Sequence, residues 1–394
     1  MALENRLDNH MRSFVKLIGL MSVFALTACS TIASLNPFAT VDEKNGPAAL
    51  QPFASSMAVK QAWAFKVGSA GNYVFSPSQV DAVVYAAGKN GTIVKLEAKT
   101  GRPIWRINAK KPLAAGVGAD STTIAVVAEK GELMAFDPSG KLRWVAQASS
   151  EVLMAPAVAN GLVIVRSIDN RIAAYDSLTG ARKWAVDRPL PPLTLRLASG
   201  IALSDQLLVA ALPAGKLIAL SPSNGVLRWE VAAAEPKGAT ELERIVDIPG
   251  TPIISGQIVC TAAYQGRISC FDLASGALRW TKNLSSEVGV GLDERFVFAV
   301  DNAGAISAYA RDMGASVWKN DKLVNRHLST PVSFGRAVAV ADAFGYVHFL
   351  SREDGSFIGR VSTDGSQIKA APLVAGSNLI VQTKSGTVVA LATE

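Results

Sequence analysis

Few residues in this chain have the types and the spacing that catalysis or metal binding requires. The three histidines, His10, His327 and His348, are too scattered to form a zinc site. No histidine and cysteine stand at the spacing of metal ligands, and no serine occurs in a Gly-x-Ser-x-Gly turn. Carboxylates are plentiful, but most occupy repeated turns, as Asp137 and Asp176 do. The sequence selects no catalytic residue, cofactor or metal site, and it predicts a protein that is not an enzyme.

Two of the three cysteines are predicted to lie close together. Cys260 and Cys270 stand on the two strands of one predicted hairpin around Gln265-Gly266. A three-residue loop would place them opposite one another, where a disulfide can form in an oxidising compartment. A two-residue loop would stagger them and leave two small buried thiols. Either alternative gives the pair a local, structural role.

The third cysteine, Cys29, ends what reads as an export signal. Arg12 and Lys16 precede an uncharged run, Leu17–Ala28, that is too short to span a bilayer but fits a signal core. Leu26-Thr27-Ala28-Cys29 resembles the lipobox of bacterial lipoproteins. That resemblance implies cleavage before Cys29, lipid on Cys29 and, because Ser30 follows, transfer to the outer membrane. The alternative is an ordinary signal with an incidental cysteine.

The rest of the chain is organised around one repeated module, Val83–Arg106 (VVYAAGKNGTIVKLEAKTGRPIWR). Val83–Ala86 is typical of a short apolar strand, and Lys89-Asn90-Gly91 is typical of a hairpin turn. Thr92–Leu96 follows as the return strand, and Ile104–Ile107 as a third strand that carries a tryptophan. Strands separated by turns every eight to twelve residues indicate an antiparallel meander.

Later copies of the module are recognised by their tryptophan strands. Trp105, Trp144, Trp184, Trp229, Trp280, Trp318 and finally Gly359 follow one another at spacings of 39, 40, 45, 51, 38 and 41 residues. A period of about 40 residues with strands and no helices predicts a β-propeller with one four-stranded sheet per blade. The regular tryptophans are predicted to be structural, each wedged against the next blade.

The two ends of the chain predict how the ring closes. The last repeat stops after its second strand, and an orphan tryptophan strand, 62–67, stands near the N-terminus. Pairing the two completes an eighth blade and leaves no open sheet edge. The predicted fold is therefore all-β, an eight-bladed propeller closed by an N-terminal strand. The predicted domains are a signal peptide at 1–28, with Met11 as an alternative start, a lipidated flexible tether at 29–56 and the propeller at 57–394.

Composition agrees with a closed ring of repeats. The hydrophobic content of 49% and the charged content of 18% fit blades that neighbours cover on both faces. The formal net charge is +7, but no block of five or more lysines and arginines occurs. A nucleic-acid surface would cluster these residues and interleave aromatics, so no nucleic-acid partner is predicted.

Two segments break the repeat and are the best candidates for a binding surface. The inserts 187–197 and 232–250 account for the two longest spacings, and both follow a tryptophan strand. Connections that leave successive last strands emerge on one face, so the inserts are predicted to be neighbours. The first has a proline-stiffened stem and carries Leu193, Leu195 and Arg196, a good protein-binding patch. Asp247 of the second is predicted to pair with Arg196 or with a partner's charge. The alternative is that the leucines fold back and cap the blade.

Together the lipobox, the tether and the tryptophan repeats resemble the BamB family, lipoproteins of the outer-membrane β-barrel assembly (BAM) complex. Within that resemblance Leu193-Thr194-Leu195-Arg196 and Thr240-Glu241-Leu242-Glu243-Arg244, followed by Asp247, are the more diagnostic segments. It implies that the two inserts contact the periplasmic POTRA region of BamA through Leu193, Leu195, Arg196 and Asp247. It also implies a lipid-anchored protein of the outer membrane that faces the periplasm, with unfolded outer-membrane proteins as further partners. This chain departs from the family at Pro249, where a second acidic residue is often found.

The repeats alone also resemble other PQQ-like propellers, the quinoprotein dehydrogenases among them. Those enzymes carry an adjacent pair of cysteines and large inserts that build a cofactor site, and this chain has neither. A third interpretation is a lipid-anchored binding propeller with a different partner.

Overall fold

A computed structural model describes residues 46–393 of the chain. Within that range 32 strands form eight four-stranded antiparallel sheets, so the predicted all-β, eight-bladed fold is confirmed. The innermost strands of successive blades contact one another in cyclic order, and the last contacts the first. The sheets therefore form a closed ring around a central channel. No helix in the described range is long and apolar enough to span a membrane.

The strands follow one another in a simple order, each blade running from its innermost to its outermost strand. The chain enters through β1 (Val59–Lys66). Blade 1 consists of β2 (Ser78–Val80), β3 (Val83–Ala87), β4 (Thr92–Glu97) and β5 (Pro103–Asn108). Blade 2 consists of β6 (Leu113–Ala119), β7 (Ile124–Ala128), β8 (Glu132–Phe136) and β9 (Leu142–Gln147). Blade 3 consists of β10 (Ala157–Ala159), β11 (Leu162–Arg166), β12 (Ile172–Asp176) and β13 (Arg182–Val186). Blade 4 consists of β14 (Ile201–Leu203), β15 (Leu208–Leu212), β16 (Lys216–Leu220) and β17 (Leu227–Ala232).

The second half of the ring repeats the same order. Blade 5 consists of β18 (Ile253–Ser255), β19 (Ile258–Ala262), β20 (Arg267–Asp272) and β21 (Leu278–Asn283). Blade 6 consists of β22 (Gly291–Leu292), β23 (Phe296–Val300), β24 (Ile306–Ala310) and β25 (Ser316–Asn320). Blade 7 consists of β26 (Val332–Phe334), β27 (Ala337–Ala341), β28 (Tyr346–Ser351) and β29 (Phe357–Ser362). Blade 8 consists of β30 (Leu373–Ala375), β31 (Asn378–Gln382) and β32 (Thr387–Thr393), completed by β1.

Closure takes place in blade 8, as predicted. Strand β1 pairs antiparallel with β32 from Val59 opposite Thr393 to Lys66 opposite Thr387. One strand from the beginning of the chain thus supplies the outer edge of a sheet whose other three strands come from its end. Four strands per blade were predicted, but the positions of the innermost strands were not, because most of these strands are only two or three residues long and carry no readable alternation.

The core is divided into eight layers, one at each joint between neighbouring blades. The second and third strands of a blade are buried almost throughout, because a neighbouring blade covers each face. The outermost strands alternate between exposed and buried residues, as β17 does. This explains the high apolar content without a second core.

The tryptophans join the blades as predicted. Each indole N–H donates a hydrogen bond of 2.6–3.0 Å to a backbone carbonyl in the next blade. Each ring also packs on a turn glycine of that blade, where an added Cβ would lie 2.4–3.5 Å from ring atoms. Glycine is needed at these turns for that close approach and for its positive φ, which is +73° at Gly276. Seven such joints occur in the described ring.

The N-terminal boundary of the propeller differs from the prediction. The compact unit begins at Ala48, so residues 48–56, assigned above to the flexible tether, belong to the folded part. Residues 48–57, here called the strap, pass along blade 7 before the chain turns into β1. Ala48 N donates to Val324 O at 2.9 Å, and Met57 N donates to Ile358 O at 2.9 Å. The composition of the strap resembles a linker, and long-range contacts of this kind order it.

Candidate partner-binding surface

Two long connections lie side by side on one face of the ring, as predicted. The first loop, residues 187–200, joins β13 to β14, and the second loop, residues 233–252, joins β17 to β18. Gly200 N donates to Gly250 O at 2.8 Å, and Gly250 N donates to Ala198 O at 3.0 Å. The Ser199 hydroxyl donates to Ile248 O at 2.6 Å. Because the ends of the two loops are hydrogen-bonded together, they behave as one surface.

The stem of the first loop is held in place from both sides. Asn170 Nδ2 of blade 3 donates to Pro189 O at 2.9 Å. Asp187 pairs with Arg171, and Arg188 lies 3.5 Å from a carboxylate oxygen of Glu230 in blade 4. Prolines restrict the backbone between these anchors. The loop is therefore stiff, and its tip does not need to be ordered when a partner binds.

Leu193 is presented to solvent at the tip of the first loop. Of its surface, 46% is exposed, whereas Leu195 is half-buried. The alternative in which both leucines fold back onto the blade is wrong for Leu193 and holds in part for Leu195. An exposed leucine on a stiff loop can enter a shallow apolar recess with little loss of conformational entropy.

Arg196 is also exposed, and its partner differs from the prediction. Its guanidinium pairs with Glu151, which belongs to the connection between blades 2 and 3, and not with Asp247. The side chain of Arg196 remains 63% exposed and that of Glu151 40% exposed. An ion pair this open to water contributes little stability, so Arg196 can exchange Glu151 for a partner's acceptor at small cost.

Asp247 is buried and holds the two loops together. Its carboxylate accepts hydrogen bonds from Leu195 N at 2.5 Å and from Ala214 N at 3.2 Å. Burial raises the pKa of Asp247, and the two N–H donors and the positive charge of Arg166 offset only part of that shift. Burial also lowers the pKa of Arg166 to about 10, so its guanidinium stays protonated at neutral pH. Asp247 therefore orients Leu195 from the neighbouring loop and does not face solvent in this structure.

A cavity at the mouth of the central channel adjoins the first loop. Its volume is about 380 Å³, and it is lined by residues that precede the innermost strands of several blades. Leu197, Pro252, Val288, Val290 and Pro331 form much of its apolar wall, with Arg196 at the rim. Sequence reasoning missed this cavity, because its residues come from seven separate connections between blades and share no motif.

Cys260 and Cys270 form a disulfide in the structure. They face one another on β19 and β20, with a distance of 4.1 Å between the Cα atoms. Ala263 N donates to Arg267 O, so three residues, 264–266, form the loop of this hairpin. The bond lies in the core layer between blades 5 and 6. The predicted lipidation site, Cys29, lies outside the described residues.

Comparison with known proteins places the chain in a family. The family model described as "Outer membrane protein assembly factor BamB" matches residues 89–320 and 302–394. The protein of that name from Bordetella pertussis is 42% identical over 96% of this chain and 96% of its own length. This chain belongs to the BamB family. A more distant relative of the same name, from Yersinia pestis, is 30% identical over 95% of this chain and 98% of its own length.

Solved structures agree with that assignment. The crystal structure of BamB from Moraxella catarrhalis matches with a TM-score of 0.77 at 25% identity, covering 85% of this chain and all of that one. Quinohemoprotein alcohol dehydrogenase from Comamonas testosteroni also matches, with a TM-score of 0.66 at 14% identity over 85% of this chain and 76% of that one. The second likeness shows a shared fold alone. Within residues 46–393, no group of three or more metal-ligating side chains is found.

Proposed function

We propose that this protein is a docking subunit of the outer-membrane protein assembly machinery and works by binding rather than by turnover. Its relatives are named as assembly factors, and the first loop of this chain is an anchored segment that exposes a leucine and an arginine. The proposed partner is the periplasmic POTRA region of BamA, and through it the BAM complex. Unfolded outer-membrane proteins are further proposed clients.

The observation that carries the proposal is the state of the first loop. Leu193 and Arg196 are both open to solvent, although the loop around them is anchored at several points. Leucine supplies apolar contact and arginine supplies directed donors, a combination that forms the centre of many interfaces. Leu195 completes the surface from a half-buried position, held there through its N–H by Asp247.

The test is the affinity of the purified mature protein for the periplasmic region of BamA at one fixed salt concentration. Arg196→Ala should weaken binding about thirtyfold, which corresponds to roughly 2 kcal/mol, and should leave the Tm nearly unchanged. Arg295→Ala is the matched control. Arg295 is 60% exposed and pairs with Glu353 at 2.7 Å, but it precedes β23 on the opposite face of the ring. Equal affinities of the two variants would overturn the proposal.

Asp247 is proposed to orient Leu195 and not to contact the partner, so its substitution should affect stability more than binding. Asp247→Ala would leave the N–H groups of Leu195 and Ala214 without acceptors and would leave Arg166 without its nearby negative charge. A buried donor without an acceptor costs about 1–3 kcal/mol. We expect this variant to lose stability and to weaken binding less than Arg196→Ala. Loss of binding with an unchanged Tm would instead indicate direct contact with the partner.

We also propose that lipid on Cys29 anchors the protein to the outer membrane, facing the periplasm. Stable attachment needs more than one acyl chain, which the lipobox implies. Cys29→Ser should abolish labelling by radioactive palmitate and release the protein from the outer-membrane fraction. Unchanged labelling and unchanged fractionation would contradict the anchor.

A further inference from the structure

The middle of the second loop contains a small, well-defined turn. The Thr240 hydroxyl accepts a hydrogen bond from Glu243 N at 3.3 Å. In return, the Glu243 carboxylate accepts hydrogen bonds from Thr240 N at 3.1 Å and from Ala239 N at 2.8 Å. This reciprocal pattern is a capping box, which normally begins a helix. Here it closes a single turn, with Arg244 N donating to Thr240 O at 3.2 Å.

Two further features show that this capped turn is specifically built. Gly238 has a φ of +128°, and an added Cβ there would lie 2.3 Å from the Cβ of Glu243. Only glycine therefore lets the chain enter the turn this closely. Beyond the turn, Val246 and Ile248 are buried in the core layer between blades 4 and 5. The turn is thus constrained at both ends, although all residues from 235 to 244 are exposed.

The capped turn presents Leu242 to solvent. This side chain is 68% exposed, and its neighbours Glu241, Glu243 and Arg244 are exposed as well. A single exposed leucine on a flexible loop is common on protein surfaces and does not by itself indicate a binding site. This one stands on a turn whose order is already established by four hydrogen bonds, so burying it in a partner would cost little conformational entropy.

We infer that Leu242 is a second apolar anchor for the protein partner that the first loop binds, received by a separate shallow recess of that partner. The inference rests on the proposed function. Its support is that the two loops are hydrogen-bonded into one surface, so a partner seated on Leu193 and Arg196 meets the second loop in a defined orientation.

Charge favours a protein partner over an anionic membrane. The exposed segment 235–244 holds three glutamates, one lysine and one arginine, which gives a net charge of −1. Anionic headgroups attract clusters of basic residues, and this segment has none. A leucine in this setting is better suited to an apolar recess with polar edges.

The first experiment measures affinity for the periplasmic region of BamA. Leu242→Ala should weaken binding about tenfold with an unchanged Tm. Met313→Ala is the matched control, because Met313 is 77% exposed but stands in the turn that precedes β25 on the opposite face. If Arg196→Ala weakens binding and Leu242→Ala does not, the inference is wrong and the proposed function stands. If neither variant differs from the parent, both are wrong.

The second experiment tests the capped turn itself and keeps Leu242 in place. Thr240→Ala removes the hydroxyl that accepts Glu243 N and should weaken binding severalfold, whereas Thr240→Ser keeps the acceptor and should bind like the parent. Equal binding by Thr240→Ala would show that the turn does not position the leucine. Flotation of the unlipidated protein with phosphatidylglycerol vesicles tests whether Leu242 binds an anionic membrane and not a protein. Vesicle binding that Leu242→Ala abolishes would overturn the protein partner in favour of the membrane.

Discussion

Seven joints between blades are built alike and the eighth is not, and the difference shows what the tryptophan repeat is for. At the seven similar joints an indole fills the space between two sheets, donates to a carbonyl of the next blade and covers its turn glycine. The third strand and the fourth strand of that next blade must be joined by a turn to supply the carbonyl and the glycine. Between blades 7 and 8 this turn does not exist, because β32 leads to the end of the chain and β1 comes from its beginning.

Glycine replaces tryptophan at that joint. An added Cβ on Gly359 would lie 3.2 Å from Met57 O, because the strap passes over this position. Ile358 lies at a β-bulge in β29, and its carbonyl points toward the strap. That carbonyl accepts hydrogen bonds from Ser56 N at 3.1 Å and from Met57 N at 2.9 Å. The buried side chain of Met57 packs with Phe349 and Leu391 in the core layer of this joint. At this joint the strap therefore fills the space that a tryptophan side chain fills at the other joints.

Arginines hold the rest of the strap against blade 7. Arg326 donates to Ala48 O at 3.0 Å, and Arg360 donates to Gln51 O at 3.2 Å. The guanidinium of Arg360 also lies 4.9 Å from the ring centre of Phe53, which in turn packs on Phe357. Charged groups and aromatic faces therefore hold the outer part of the strap, whereas Met57 at its end enters the apolar core layer.

The largest effect is expected from removing β1. Deleting residues 57–68 would expose the edge of β32 and remove Trp63 from the joint between blades 8 and 1. A single large truncation in a core costs roughly 3–5 kcal/mol, and the loss of a whole strand should cost more. We expect no cooperative unfolding transition near that of the parent. A Tm within a degree or two of the parent value would contradict the closure.

A smaller loss is expected when one tryptophan joint is broken. Trp229→Ala should lower the free energy of unfolding by about 3–5 kcal/mol, because Trp229 is buried and its ring packs on Gly276. Trp229→Phe keeps most of the apolar contact and loses the hydrogen bond to Leu273 O, so about 0.5–1.5 kcal/mol is expected. Chemical denaturation measures both. Equal losses would mean that the hydrogen bond, and not the ring, secures the joint.

Restoring the repeat at the eighth joint should also destabilise the protein. Gly359→Trp would force the indole into the space that the strap occupies, at an expected cost of about 1–3 kcal/mol. Combining it with deletion of residues 46–55 should not recover the loss, because Met57 would still obstruct the ring. If Gly359→Trp raised the Tm, the strap would not be the reason for the glycine.

The smallest effect concerns pH and the buried His348 beneath the strap. Its Nε2 lies 2.9 Å from a carboxylate oxygen of Asp342, and its Nδ1 accepts a hydrogen bond from Arg360 Nε at 3.1 Å. A neutral ring satisfies both contacts, whereas a second proton on Nδ1 would face the guanidinium. Burial lowers the pKa of His348, the charges of Arg360 and Arg326 lower it further, and Asp342 opposes them.

The sign of the pH dependence follows from that lowered pKa. Below the ordinary histidine value of 6.5 the unfolded chain binds a proton that folded His348 does not. The contribution of His348 to the free energy of unfolding should therefore be fully present above about pH 6.5. Below that pH it should fall by at most about 1.4 kcal/mol per pH unit. The pKa of Asp342 is also lowered, because hydrogen bonds from His348, Tyr346 N and Arg326 outweigh burial, but its contribution is lost only in stronger acid. Thermal unfolding at pH 7.5 and 5.5 should show a smaller difference for His348→Gln than for the parent.

The sequence by itself determined the parts of this protein that repeat. The spacing of tryptophans and turn glycines predicts the number of blades, their order and the joints between them, because each signal lies within one module of about 40 residues. The orphan Trp63 strand and the truncated last repeat predict the closure in the same way. The two inserts interrupt that period, and the sequence predicts a binding role for Leu193 and Arg196 because no blade requires residues of these types there.

Only the tertiary structure decided which of the remaining residues face solvent and which hold others in place. Asp247 reads as a surface charge, yet it is buried because two backbone N–H groups from separate segments converge on it. Arg196 pairs with Glu151 from the preceding connection between blades, 45 residues earlier in the chain. The strap reads as a linker and is ordered by residues about 280–310 positions away. Contacts of this kind depend on how the ring brings distant segments together, and no local pattern of residues records them.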